Sequence, residues 1–467
     1  MTAEDWAWAS ARDIAAAVAR GSRAGAIVEA ALDRIARLNP LLNAFTAVTA
    51  ERARARAASV DAAIAAGKPA GPLAGVPFAV KNLVDIAGLP TLAGSRINRD
   101  RPPAAVDATL VTRLEAAGAV LVGALNMGEY AYDFTGENSH DGPARNPHDT
   151  SRMTGGSSGG SGGAVAGGLV PLALGSDTNG SIRVPASFCG TFGLKPTYGR
   201  LSRAGSFPFV SSLDHLGPLA RSAADLALAY DAMQGPDPRD PVCAERPVEP
   251  VLERLAEGAA GLRIACAGGY FRQGASPEAL AALDAAAAAL GAEREIELPE
   301  AARARSAAYV ITTAEGAALH LQRLRERAAD FDPDVRDRLI AGALVPAVSV
   351  VQAQKFRRWY REAVLRLFDD VDAILAPATP FVAPPIGQKT MQLAGEEVPL
   401  RPNIGLYTQP ISFIGLPAVT VPAPTAGGLP IGIQIIAAPW REDVALRVAV
   451  ALEQAGAARA PRPALQS

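Results

Sequence analysis

The chain has 467 residues, 49% hydrophobic and 20% charged, and its 45 Lys and Arg against 47 Asp and Glu leave a formal charge of -2. A balance so close to neutral offers no footprint for nucleic acid or an anionic membrane surface, and no run of 18 or more apolar residues is long enough to cross a bilayer. These are the proportions of an ordinary soluble globular protein with a large core, so neither a nucleic-acid nor a membrane partner is expected.

The opening Met1-Thr-Ala-Glu-Asp-Trp is acidic where a signal peptide is basic. Cys189, Cys243 and Cys266 are scattered without metal-ligand spacing and read as reduced thiols of a cytoplasmic protein. His140, His148, His215 and His320 do not approach the spacing of a zinc site, so no metal and no cofactor is expected. Residues 1–68 read as an N-terminal helical part, with about three helices between Ser10 and Lys68 broken near Gly21 and at Asn39-Pro40. Trp6 and Trp8 are expected to pack on their own domain.

From Gly71 to Asp85 the chain is strand-like, and Lys81 closes the apolar run Val76-Pro-Phe-Ala-Val80. Two readings of Lys81 stand side by side: a lysine paired to Asp85 or snorkelling to water, or a desolvated lysine whose lowered pKa makes it a base. A helix over 105–118 followed by a buried strand over 119–125 indicates α/β architecture. The polar, aromatic segment 126–146 is a long loop in which Tyr130, Tyr132, Asp133, Glu137 and Asn138 could line a cleft.

The stretch Met153 to Gly190 holds Ser157 and Ser158 between glycine pairs, and Ser181 directly after Asn179-Gly180. Glycine adopts conformations closed to other residues, so such a stretch presents a hydroxyl in an unusual direction with backbone N–H groups converging beside it, as an oxyanion hole requires. A flexible linker would not run on into the uncharged apolar segment Ala164 to Leu174. A phosphate-binding loop would need a lysine after these glycines, and none occurs before Lys195. Further on, 261–299 reads as strand, helix and strand with Ser276-Pro277 at the helix start, and 301–370 as mostly helical and arginine-rich. Buried strands are expected at 371–377, 418–421 and 431–436, and a disordered tail over 458–467.

Together, Gly75-Val-Pro-Phe-Ala-Val-Lys81, Gly155-Gly-Ser157-Ser-Gly-Gly, Gly175-Ser-Asp-Thr-Asn-Gly-Ser181-Ile-Arg-Val-Pro, Phe192-Gly-Leu-Lys-Pro-Thr and Leu375-Ala-Pro-Ala-Thr-Pro closely resemble the amidase signature family. The resemblance spans roughly residues 70 to 440 and makes 69–457 the amidase signature core. It implies a single large α/β domain whose central mixed sheet is covered by helices on both faces. It also implies a Ser-cisSer-Lys triad: Ser181 as nucleophile, Ser157 as the bridging serine that precedes a cis peptide, and Lys81 as base. The N–H groups of Thr178, Asn179, Gly180 and Ser181 would hold the oxyanion, while Asp177 and Arg183 would fix the loop and help depress the lysine pKa. Asn179 departs from the family, which mostly has Gly there. Asp133 departs too, standing at a cleft position where small residues are usual.

The resemblance implies an amide-cleaving acyl-enzyme mechanism, with two enzyme roles open. Gly405 stands where the family's glutaminase subunits of tRNA-dependent amidotransferases carry an acid for glutamine, which argues against that role. Arg401-Pro-Asn-Ile-Gly-Leu-Tyr and Asn179 instead resemble members that release ammonia from small amides or ureides such as 1-carboxybiuret, and that imply a small accessory subunit, in a homodimer or heterotetramer. Tyr132, Asp133 and Arg325 are the expected substrate-binding residues, Arg325 as clamp for a substrate carboxylate. A catalytically silent scaffold subunit is the non-enzymatic alternative, disfavoured by the intact Lys81, Ser157 and Ser181.

Overall fold

The computed structural model describes residues 2–393 and 395–465. Its centre is an 11-stranded sheet in the spatial order Phe45–Val48, Val120–Leu125, Pro77–Lys81, Leu172–Asp177, His215–Ala220, Phe192–Lys195, Ala418–Ala423, Ile431–Ala437, Ala373–Pro377, Ile264–Ala267, Arg294–Ile296. Pro77–Lys81 pairs in parallel with both its neighbours, the four strands from His215–Ala220 to Ile431–Ala437 pair antiparallel, and the sheet returns to parallel pairing beyond Ala373–Pro377. The mixed sheet is the expected one. Every residue of Pro77–Lys81, Leu172–Asp177, Ala418–Ala423 and Ile431–Ala437 is buried, which is why these segments read as continuous apolar runs rather than alternating ones.

Helix boundaries follow local chemistry. Pro277–Leu290 starts where Ser276 accepts from the Ala279 N–H and ends at Gly291 in the left-handed region. Ala24–Leu42 does not break at Asn39-Pro40 as expected. Pro40 sits in its last turn, and Asn39 exchanges two hydrogen bonds with the backbone of Phe45 to launch the edge strand Phe45–Val48. That strand makes the N-terminal region part of the same sheet. Trp8 packs at home, with the guanidinium groups of Arg34, Arg221 and Arg462 within 5.6 Å of its ring.

The expected disordered tail has no regular secondary structure over 458–465, yet Ala458 is buried and the Arg459 N–H donates to Pro422 O at 2.9 Å. Gln466 and Ser467 lie outside the described residues. No single helix among the described residues is long and apolar enough to cross a membrane.

The topology places the site. Pro77–Lys81 and Leu172–Asp177 run side by side in parallel, so Lys81 and the Ser176-Asp177 end emerge at the same edge. The helix Gly159–Ala166 starts at this edge, from Ser158, and residues 178–182 form the turn between the strand Leu172–Asp177 and the helix Arg183–Cys189. The carboxyl ends of parallel strands are where open α/β sheets place their ligands.

Candidate active site

Lys81 is fully buried, and its ammonium nitrogen lies 2.6 Å from Ser157 Oγ, 3.0 Å from Ser158 Oγ and 2.9 Å from Ser176 Oγ. It makes no ion pair with Asp85, whose carboxylate accepts from Thr91 Oγ1 instead. Burial pulls the lysine pKa down to about 7, against the opposing pull of Asp177, Asp133 and Asp214. The expectation that Asp177 and Arg183 help depress it is therefore corrected: the Asp177 charge raises it, and desolvation alone lowers it. The three hydroxyls matter as much as the burial, because a hydroxyl can both give and take a proton.

The Gly156–Ser157 peptide is cis, so the cis bond precedes Ser157 rather than following it. Ser158 is held by Ser176, donating to its carbonyl at 3.1 Å and accepting from its N–H at 3.2 Å. Asp177 and Arg183 are both fully buried and face each other through two contacts, Nε to Oδ2 at 3.0 Å and Nη2 to Oδ1 at 3.1 Å. Arg183 also donates to Gln434 Oε1 and Thr408 O, and Asp177 accepts from Ser412 Oγ. The pair holds the strand end, the turn and the following helix as one unit, and the Arg183 charge holds the Asp177 carboxyl far below its usual range.

In the turn, the Thr178 hydroxyl donates to Asp214 at 2.6 Å, and Thr408 Oγ1 donates to Asn179 O at 2.7 Å. Gly180 has φ +142°, and a Cβ there would stand 2.1 Å from Thr408 Oγ1, so no larger residue fits. Among the described residues, the backbone N–H groups of Thr178, Asn179, Gly180 and Ser181 have no protein acceptor. Four free donors in one turn are what a developing negative charge needs.

Ser181 lines a cavity of about 90 Å³ with Tyr132, Asp133, Thr178, Asn179, Arg338 and Arg401 on its walls. Tyr132 is buried under Arg338, whose guanidinium carbon lies 3.9 Å from the ring centroid. Asp133 is not a free acid facing substrate. Its carboxylate accepts from the Thr135 N–H, the Thr135 hydroxyl and the Gly136 N–H, and pairs with Arg401 at 2.9 Å. Arg401 in turn is surrounded by Asp133, Asp334 and Glu137, so its charge is spent. Arg325 is misplaced by the sequence reading: it is exposed in the last turn of the helix Ala301–Arg327 and is not part of the cavity wall. The cavity cation that sequence missed is Arg338. Its Nε donates to Asp334 O and its Nη2 to Tyr132 O, while Nη1 has no protein acceptor among the described residues. Nothing in the spacing of the helix arginines distinguishes it.

Comparison with known proteins decides the family: a profile described as Amidase matches residues 26–446. The chain belongs to the amidase family. This amidase is 57% identical over 435 residues to AtzE, a 1-carboxybiuret hydrolase subunit from Pseudomonas sp. (strain ADP), covering 93% of this chain and 95% of that one. It is 41% identical to a glutamyl-tRNA(Gln) amidotransferase subunit from Salinispora arenicola (strain CNS-205), over 96% of this chain and 97% of that one. Among solved structures, a vestigial protein complex that reveals the origins of an s-triazine catabolic enzyme superposes with a TM-score of 0.96 at 55% identity, covering 97% of this chain and all of that chain. A 6-aminohexanoate cyclic dimer hydrolase complexed with substrate superposes with a TM-score of 0.87 at 30% identity, covering 98% and 99%. The amidase is thus a hydrolase of carbon–nitrogen bonds built on the expected α/β fold.

Proposed function

We propose that this amidase cleaves a small ureide, 1-carboxybiuret or a near relative, releasing ammonia through an acyl-enzyme on Ser181. The observation that carries the mechanism is the 2.6 Å contact between Lys81 Nζ and Ser157 Oγ at a lysine shifted to about 7. Neutral Lys81 takes a proton from Ser157 as Ser157 takes one from Ser181, so the attacking oxygen never has to carry a full free charge. The carbonyl oxygen, becoming an oxyanion, moves onto the N–H groups of residues 178–181, where each donor is worth about 3 kcal/mol of barrier. The proton then returns through Ser157 to the departing nitrogen, ammonia leaves, and water repeats the sequence on the acyl-enzyme.

The substrate reading rests on the cavity and on the greater likeness to the carboxybiuret hydrolase. A volume of about 90 Å³ suits a small substrate, and Arg338, in place of Arg325, offers an unused N–H face to a carboxylate. The glutaminase role is less favoured by the lower identity of those relatives. At Gly405 a Cβ would stand 2.4 Å from the Phe134 ring, leaving no room for the acid that glutamine needs. Since one relative is itself a subunit, while one solved neighbour is a complex, we propose a small accessory subunit in a homodimer or heterotetramer, working in the cytoplasm, where its three unpaired thiols stay reduced.

The test is ammonia release from biuret, 1-carboxybiuret, allophanate, glutamine and simple aliphatic amides, with and without a co-expressed small subunit. Turnover concentrated on the carboxylated ureides is expected. Preferential turnover of glutamine would overturn the substrate reading.

A further inference from the structure

Asn179 Oδ1 is an orphan atom of the site. Asn179 is 6% exposed and lines the Ser181 cavity, yet its amide oxygen has no hydrogen-bond partner among the described residues. Its amide nitrogen does: Nδ2 donates to Thr312 Oγ1 at 2.9 Å, across to the helix Ala301–Arg327. Its backbone is pinned as well, by Thr408 Oγ1 on the carbonyl. A buried acceptor fixed at both ends and left without a donor costs stability unless a ligand supplies the donor. The Tyr132 hydroxyl, on the same wall beside Tyr309, also makes no well-formed hydrogen bond, so the unmet polar groups converge on one cavity.

The position of Asn179 says which donor is wanted. In the proposed mechanism its own N–H belongs to the turn that takes the carbonyl oxygen, and its side chain lines the same cavity as Ser181, so a substrate held there would present the flank of that carbonyl to Asn179. In a simple amide the only nitrogen on the carbonyl is the one that leaves. In a ureide a second nitrogen stays behind, and it carries an N–H on that flank.

We propose that Asn179 is the specificity-determining residue for ureides, its Oδ1 accepting the N–H of the nitrogen retained when ammonia departs. This rests on the amidohydrolase reading of the site and adds the atom that separates N–CO–N substrates from C–CO–N amides of the same size. A site built to pair a substrate N–H rejects the analogue lacking it, because the site's own polar group is then left bare.

Two matched pairs test it, biuret against malonamide and allophanate against malonamate, in which the retained NH is replaced by CH2. The preference for the NH member, as a ratio of kcat/KM, is measured in the wild type and in Asn179→Ala. Intrinsic reactivity cancels in the ratio of these ratios, which is expected to fall about tenfold or more in the variant. Calorimetry on Ser181→Ala, where no bond is broken, should show the same loss of preference in Kd when Asn179→Ala is added. Thr312→Val keeps Asn179 but frees its amide; it is expected to lower the ratio by a smaller factor, and serves where Asn179→Ala does not fold. If Asn179 only ties the turn to the helix, all substrates lose alike and the ratio moves less than about threefold, which overturns the inference and leaves the amidase mechanism standing. A wild type that releases no ammonia from 1-carboxybiuret or from either pair overturns the substrate reading itself.

Discussion

Two lysines in this amidase are fully buried at the ends of β-strands in the same sheet, Lys81 closing Pro77–Lys81 and Lys195 closing Phe192–Lys195, and burial pulls both down to about 7. Their partners differ. Lys81 faces three hydroxyls, which exchange protons in either direction. Lys195 donates to the carbonyls of Pro196 and Leu416 and lies 3.3 Å from His215 Nε2, the other ring nitrogen of which faces the Asp177 carbonyl. Carbonyls only accept, so they hold Lys195 as a donor and give it no proton to take. A shifted pKa marks a buried amine, and what the amine faces decides whether it can be a base.

The largest expected effect comes from breaking the hydroxyl side of this contrast. Lys81→Met and Ser181→Ala should each lower kcat by about 10³-fold or more, measured by ammonia release, with the thermal midpoint little reduced for Ser181→Ala. Lys195→Met should retain activity within about tenfold. An equal collapse of both lysine variants would mean that burial alone, and not the proton-exchanging neighbours, defines the base.

The pH profile sharpens the same contrast. If Lys81 is the base, log kcat/KM rises with pH to an inflection near 7 and then levels, since the amine must be neutral to act. Lys195→Met should keep that inflection. Stability does not separate the two: both lysines have folded values near 7, below the unfolded value of 10.5, so between these limits the unfolded chain binds more protons. Stability therefore increases with pH across that window, with the full penalty present below 7. Each methionine variant should flatten this slope in urea melts taken from pH 6 to 9, although only Lys81→Met removes the kinetic inflection.

Much of this is legible in the sequence wherever a long apolar run or a glycine-rich turn leaves a strong local mark. Lys81 at the end of Pro77–Lys81, and Ser157 and Ser181 in their turns, are local features of that kind. What the sequence does not show is produced by distant pairing. The edge strand Phe45–Val48 is four residues long and is read only against Val120–Leu125. Asp133 looks like a free cleft acid in sequence because Arg401, which neutralises it, is 268 residues away. Ser176 has no periodicity to mark it, and becomes meaningful only when the strand beside it delivers Lys81.

A smaller effect, on stability rather than rate, is expected behind the site. Removing the Lys195 ammonium leaves the Pro196 and Leu416 carbonyls buried without that donor, which costs about 1–3 kcal/mol. Because the same substitution removes the ionisation penalty of a buried amine, Lys195→Met should lower the unfolding free energy in urea more at pH 9 than at pH 6, whereas a change that is the same at both would mean that Lys195 carries no such penalty.

The smallest effect extends the argument from lysines to arginines, where residue type again says less than surroundings. Arg338 faces the cavity with an unspent N–H edge, and Arg325 faces solvent. Arg338→Lys keeps the charge but loses the planar fork, so KM for a carboxylated ureide should rise about tenfold while KM for biuret, which has no carboxylate, changes little. Arg325→Ala should leave both KM values within about twofold and stability within about 0.5 kcal/mol. A rise in KM confined to Arg325→Ala would place the anion on the outside of the Ala301–Arg327 helix, and would require the end of that helix to move onto the cavity when substrate binds.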